Sequence, residues 1–385
     1  MKISFTVSEK SATLGSAVRI SYDGMLRVKL FYDFREAPLG LTAPAKPGDK
    51  AVLILRNFRD ELYVNGKLFD EEWCCGNLLD HSDAIGDLSV DENSDEHPEP
   101  ELLHGVGLNE LRRYGINVGD CMPFSDGGRF HIFWLYDRHH HGSKWGLGAH
   151  QWAHASSDDL IHWDEHEMAI SIDDPIEGSI CTGSVIHADD KFRAWYTVRM
   201  SDGSPARISQ SISDDGSHFE KTHDYFILPE RYDRPSARDP KAIYEGGRYH
   251  LLLTTTELSS GKGCLAHLVS DDAGMVGFED LGPVLRWKDG SQPECPDWFE
   301  MGGYYYLIWS IGGVARYAYS KKPFGEDGWT IPEDNTIDCG RVPKSALFGS
   351  DRIFVGFEAE GGYAGRFVMK RAVQLADGRL TVGEL

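Results

Sequence analysis

The sequence has no long apolar run, no basic excess and no cysteine pattern, and each lack removes a class of function. No stretch approaches the roughly 20 apolar residues that a helix needs to cross a bilayer. The opening MKISFTVSEK has no apolar segment after its early lysine, so an unexported, cytoplasmic protein is the expectation. Lys and Arg number 39 against 61 Asp and Glu, and a formal net charge of −22 repels nucleic acid and anionic membrane alike. A neutral substrate suits that surface better. The seven cysteines (Cys74, Cys75, Cys121, Cys181, Cys264, Cys295 and Cys339) are odd in number and scattered, with one adjacent pair, which is a poor disulfide framework and points to reduced thiols. CxxC, HExxH and glycine-rich phosphate loops are missing, so neither a metal nor a cofactor is expected.

What is present is a series of short strands. Glycine is abundant (42 of 385 residues), and RFHIFWLY, KFRAWYTV, RYHLLLTT and YYYLIWS alternate between turn signals, as strands do. One stretch, PELLHGVGLNELRRYG, predicts a helix; it follows the acidic, proline-containing residues 88–101, which read as a linker, and places a boundary near residue 115. Beyond it the pieces ASSDDLIHW, SISDDGSHF, LVSDDAGMVGF and YSKKPFGEDGW repeat an equivalent serine at Ser157, Ser213, Ser270 and Ser320. That period suits propeller blades, and roughly 270 residues accommodate about five of them. A β-sandwich with similar acidic hairpin turns is the alternative. Ahead of the boundary, KISFTV, AVRISY, LRVKLFYDF, AVLILRNF and ELYVNGKLF alternate too, the last around an Asn-Gly hairpin turn. The expected fold is therefore all-β: an N-terminal β-sandwich-like module with its linker over 1–115, and a five-bladed β-propeller over 116–385.

A propeller gathers the first strand of each blade around one axis, so residues distant in sequence converge. Three acids open strand patterns in different repeats: Asp120 in VGDCMPFSDGG, Asp239 in SARDPKAIYEGG and Glu294 in QPECPDWFEMGG. Each is followed within three positions by proline. Taken singly, an acid before proline is a turn residue accepting backbone N–H bonds; three converging acids suit sugar chemistry.

RDP at 238–240 and ECPDWF at 294–299 resemble the internal signatures of glycoside hydrolase family 32, the fructosidase, invertase and levanase family. WAHASSDDLIHW, the TGS at 182–184 and AGRFVMKRAVQLADGRL match in the same order. The resemblance implies a retaining cleavage of β-fructofuranosides, with Asp120 as nucleophile, Glu294 as acid/base and Asp239 as stabiliser of the transition state. It further implies sugar contacts from Arg238, Trp145, Thr182 and Cys295, and a fructose-containing oligosaccharide as substrate. Retention sets the two reacting carboxylates about 5–5.5 Å apart. Neighbouring carboxylates are expected to raise the Glu294 pKa, and Arg238 to keep Asp239 charged.

The pattern breaks in places. The family's first motif reads Asn-Asp-Pro-Asn-Gly, whereas here Gly119-Asp120-Cys121-Met122-Pro123 keeps the aspartate alone, and Leu135 stands where a glutamine is common. His139, His140, His141 and Trp145 fall in a loop placed to rim the pocket. ELYVNGKLFDEEW is similar to a strand pair of lectin-like sandwiches, although packing or homo-oligomer formation is the plainer role for the front module. Two other functions fit the same pattern: a related five-bladed glycosidase acting on arabinose or galactose units, and a non-catalytic carbohydrate-binding propeller.

Overall fold

The computed structural model describes residues 1–32, 40–56, 59–73, 77–95, 101–140, 150–174 and 176–385. Cys74, Cys75, His141 and Trp145 lie outside them. Every sheet is antiparallel, and the described residues contain no α-helix, only 3-10 turns at Leu108–Leu111, Arg234–Ser236 and Pro323–Gly325. None of these is long or apolar enough to cross a membrane.

Two five-stranded sheets lie at the N-terminal end. One runs in the order Leu88–Asp91, Lys2–Thr6, Lys50–Leu55, Arg59–Val64, Lys67–Trp73; the other runs Leu41–Ala43, Leu26–Leu30, Val18–Tyr22, Ala12–Leu14, Ala84–Ile85. Alternation decides which side is buried: Val18, Ile20, Leu26, Val28, Leu53 and Leu62 point into one shared apolar cluster, while Arg19, Arg27 and Lys29 point out. Asn65 and Gly66 both have positive φ (50° and 81°), as the tight hairpin between Val64 and Lys67 requires.

The helix expected from PELLHGVGLNELRRYG shrinks to the single turn Leu108–Leu111. Gly105 adopts φ 63°, and Val106 exchanges backbone hydrogen bonds with Trp163 (3.1 and 2.8 Å), so the segment is used as an extra strand-like edge. Its Leu103, Val106, Leu108 and Leu111 pack on an apolar cluster of the following sheets, and this burial outweighs helix propensity.

Five units of antiparallel strands follow among the described residues, four strands in each except the third, where Leu285–Arg286 adds a fifth. Their first strands are Ile116–Ser125, Glu177–Ala188, Arg238–Glu245, Glu294–Met301 and Arg341–Phe348. These lie side by side in that order, and the fifth adjoins the first again. Separate apolar clusters fill all five junctions; Phe133, Trp152 and Tyr196, for example, sit between the first and second units, and Leu252, Trp298 and Trp309 between the third and fourth. Val118 also pairs with Gly365, which joins the first and fifth units into one sheet. The repeated serines all end third strands: the hydroxyls of Ser157, Ser213, Ser270 and Ser320 accept backbone N–H groups two or three residues on, at 2.8–3.1 Å.

The sandwich meets the first unit through a charged seam. Strand Lys67–Trp73 buries Asp70, Glu71 and Glu72 against Phe130–Arg138. Arg138 Nε donates to Asp70 Oδ1 at 2.7 Å and its Nη2 to Oδ2 at 3.0 Å, and the Tyr136 hydroxyl donates to Glu71. The strand that resembles a lectin pair thus uses its acids for packing.

Candidate active site

The first strand of every unit loses register near its start, between Val118 and Cys121, Ile180 and Gly183, Arg238 and Lys241, Glu294 and Asp297, and Arg341 and Lys344. A bulge leaves residues unpaired and re-aims their side chains. Asp120, Thr182, Asp239 and Cys295 occupy four of these breaks, and Glu294 borders the fourth unit's. The local cause is visible in RDP, ECP and RVP: Pro240, Pro296 and Pro343 have no N–H for the ladder, and the residues before them, Asp239, Cys295 and Val342, take φ of 57°, 50° and 42°. Each such residue costs of order 1–3 kcal/mol, which the surrounding sheets must offset.

Six sequence-predicted residues come together here. Asp120 accepts from three neutral donors: the Tyr363 hydroxyl on Oδ1 at 2.8 Å, and Thr182 Oγ1 (2.5 Å) and Cys295 Sγ (3.3 Å) on Oδ2. Asp239 is 3% exposed, and its Oδ2 accepts the Cys295 N–H at 3.0 Å. Glu294 Oε1 accepts Arg238 Nη2 at 2.8 Å, while Arg238 Nε stands 3.7 Å from Asp239. The guanidinium therefore lies closer to Glu294 than to Asp239, and both carboxylates favour its charge. Ser236 O (2.9 Å) and Gln292 Oε1 accept from the other arm of Arg238, and Gln292 is itself fixed by donating to Ser236 Oγ and Thr256 Oγ1, both at 2.8 Å.

Charge follows from this packing. Burial pushes the Glu294 carboxyl above its ordinary range; Arg238 opposes the rise, and Asp239 and Asp120 add to it. Burial, then Asp120 and Asp239, hold the Cys295 thiol well above its usual value, so it remains an S–H donor. Burial and Asp120 do the same for the Tyr363 phenol. Beneath the acids, Lys344 is buried and donates to Gly183 O at 2.7 Å, its ammonium lowered by desolvation.

Of the loop residues expected at the rim, His140 Nδ1 meets Tyr363 O at 2.6 Å, and His139 reaches the sandwich at Asp70, 2.9 Å away. The departure at 119 has a steric reason. A Cβ there would lie 2.9 Å from Leu135 Cβ and 3.1 Å from the Tyr363 hydroxyl, so glycine lets Tyr363 reach Asp120. Sequence patterns alone do not single out Tyr363, Gln292 and Lys344. Tyr363 stands just ahead of the matched AGRF and Gln292 two residues before Glu294, the signals that point to them.

The arrangement offers one carboxylate held by neutral donors, one carboxyl with raised proton affinity, and a third buried acid. In general, contrasting environments of this kind push the proton affinities of neighbouring carboxyls apart. Residues 122–331, more than half of the chain, match the glycosyl hydrolases family 32 N-terminal domain. A sucrose-6-phosphate hydrolase of Bacillus subtilis strain 168 is 29% identical over 221 residues, covering 53% of this chain and 43% of that protein. That of Escherichia coli is 28% identical over 291 residues, covering 66% and 58%. The chain thus spans about half the length of the curated relatives it matches. The solved sucrose-6-phosphate hydrolase of Lactobacillus gasseri shares the fold, with a TM-score of 0.61 at 20% identity over 73% of this chain and 63% of that one. Domain match, ordered motifs and fold agree, and the chain belongs to glycoside hydrolase family 32.

Proposed function

We propose that the chain is a cytoplasmic retaining glycoside hydrolase of short β-fructofuranosides, built as a sandwich module over 1–115 and a five-bladed propeller over 116–385. The observation that carries this reading is the contrast between Asp120, fixed by three neutral donors, and Glu294, whose proton affinity is raised. Asp120 attacks the anomeric carbon while Glu294 protonates the departing glycosidic oxygen. Water, deprotonated by Glu294, then releases the sugar from the ester with retained configuration. Asp239, anchored by the Cys295 N–H, faces the sugar hydroxyls, and Arg238 orients Glu294. The names of the relatives supply the substrate class, and the acidic chain favours its uncharged members.

A panel of sucrose, sucrose 6-phosphate, raffinose, 1-kestose and aryl arabinofuranosides and galactosides tests the proposal. Fructose release, seen first as the β anomer by NMR, is expected. Release of arabinose or galactose alone moves the chain to the related-glycosidase reading, and binding without release to the carbohydrate-binding one.

A further inference from the structure

The seam and the site are connected. Asp70, on the sandwich strand Lys67–Trp73, has a wholly buried side chain, and its carboxylate gathers donors from two parts of the molecule. Thr42 N (2.6 Å) and Glu71 N (3.0 Å) come from the sandwich; Arg138 and His139 Nε2 come from the first unit. Arg138 and His139 are consecutive, so one carboxylate grips the end of strand Phe130–Arg138 at two successive side chains.

The backbone at that grip needs holding. His139 and His140 both take positive φ, 50° and 57°, a conformation that bulky side chains adopt only where their surroundings impose it. The turn carries the His140 ring against Gly362, where a Cβ would lie 2.9 Å from it, and sets Nδ1 2.6 Å from Tyr363 O. The Tyr363 ring stacks on His150 at 5.4 Å, and its hydroxyl donates to Asp120 at 2.8 Å. An unbroken set of contacts therefore runs from Asp70 through His139, His140 and Tyr363 to Asp120.

We infer that Asp70 is a positioning residue for Asp120, so that the N-terminal sandwich is a working part of the active site; this rests on the reading of Asp120 as nucleophile. Losing the grip lets the two histidines relax out of the left-handed region. Tyr363 then loses its place, and the Asp120 carboxylate its alignment on the anomeric carbon. Alignment affects the first chemical step far more than it affects sugar binding.

The test is a double-mutant cycle on the full chain, reading fructosyl-enzyme formation from an activated aryl β-fructoside together with the dissociation constant of fructose. Tyr363→Phe is expected to slow the first step roughly 10- to 100-fold, as loss of a hydrogen bond to a charged group does. Asp70→Asn and His139→Ala are expected to slow it about 3- to 30-fold with fructose affinity unchanged. Either one combined with Tyr363→Phe should be no slower than Tyr363→Phe alone, because the effects share one route. Multiplying losses, or a wild-type rate in a folded Asp70→Asn protein, would overturn the inference. Should Asp70→Asn fail to fold, His139→Ala decides, since it leaves the Arg138–Asp70 pair in place. Mass mapping of the trapped intermediate separates the two readings: a label away from Asp120 defeats the nucleophile assignment, while a label on Asp120 with multiplying losses defeats only the role of Asp70.

Discussion

Two regions of the molecule collect buried carboxylates, and they neutralise them differently. In the seam, Glu61 meets Arg56 and Arg59, Glu71 meets Arg59, and Asp70 and Glu72 meet Arg138. Burial alone would raise Asp70, but Arg138 and His139 prevail and bring it down to about 2. In the site, Asp120 has Tyr363, Thr182 and Cys295 as donors, all uncharged. Cations cancel a carboxylate's charge and tie it to structure, whereas neutral donors fix its position and leave the charge available for attack. Buried acids alone do not mark an active site, and neither does a single neutral donor, since Asp60 in the sandwich is buried and accepts the Tyr32 hydroxyl; at Asp120 three neutral donors converge on one carboxylate.

That distinction breaks most sharply at Asp120. Asp120→Asn is nearly isosteric and should lower the rate by roughly 10⁴-fold or more, the scale on which nucleophile loss acts. The protein should remain folded, because no cation is left unpaired. A collapse of thermal stability with activity retained would put Asp120 in the structural class with Asp70.

Glu294 sharpens the comparison, because it has a cation partner and still keeps a raised proton affinity. Glu294→Ala should cost about 10²–10⁴ in rate on substrates with poor leaving groups. With an activated aryl fructoside the first step should survive, and added azide should restore turnover as β-fructosyl azide. Recovery of that product from an Asp120 variant instead would reverse the two roles.

In the seam the expected effect is on stability. Arg138→Met leaves Glu72 buried without its counter-charge and Asp70 with His139 alone, and breaking a buried pair costs about 3–5 kcal/mol. Urea unfolding followed by fluorescence measures it. A change below about 1 kcal/mol would mean the seam tolerates bare carboxylates and would dissolve the contrast with the site.

How much of this was legible in the sequence depends on range. Alternation, the Asn65-Gly66 turn and the serine-capped turns are decided within a few residues, and they agree with the structure. The bulges at Asp239 and Glu294 carry prolines visible in the sequence, Pro240 and Pro296, whereas Pro123 lies beyond the bulge at Asp120 and already pairs with Ile132. The helix expected over 100–115 failed because a partner far along the chain, Trp163, pairs with Val106 instead. Tyr363 acts on Asp120 across 243 residues and Arg138 on Asp70 across 68, and no short-range pattern encodes either pairing. The glycine at 119 looks like damage to a motif until Tyr363 is in view; it is then clearance for a donor.

A third way of burying a titratable group extends the comparison, and here the expected effect is smallest. His250 Nδ1 and His267 Nε2 share a hydrogen bond at 2.8 Å against the Phe324 ring; His250 Nε2 faces Glu245 O at 3.3 Å, and the Arg248 guanidinium adds to burial in disfavouring a charge on His250. Burial, then His250, holds His267 down to about 3. Its folded value lies below the ordinary 6.5 of the unfolded chain, so above pH 6.5 both states are neutral and full stability is present. As pH falls below 6.5 the unfolded state takes the proton first, and stability drops by about 1.4 kcal/mol per pH unit until His267 itself titrates near 3. His154, buried in the first unit and depressed in the same direction, adds to the slope. Urea midpoints at pH 7, 6 and 5 should therefore fall progressively in the wild type and less steeply in His267→Gln, the difference approaching one proton per molecule. Parallel slopes would mean that the pair accepts a proton in the folded state, and that burial without a counter-charge does not keep these rings neutral.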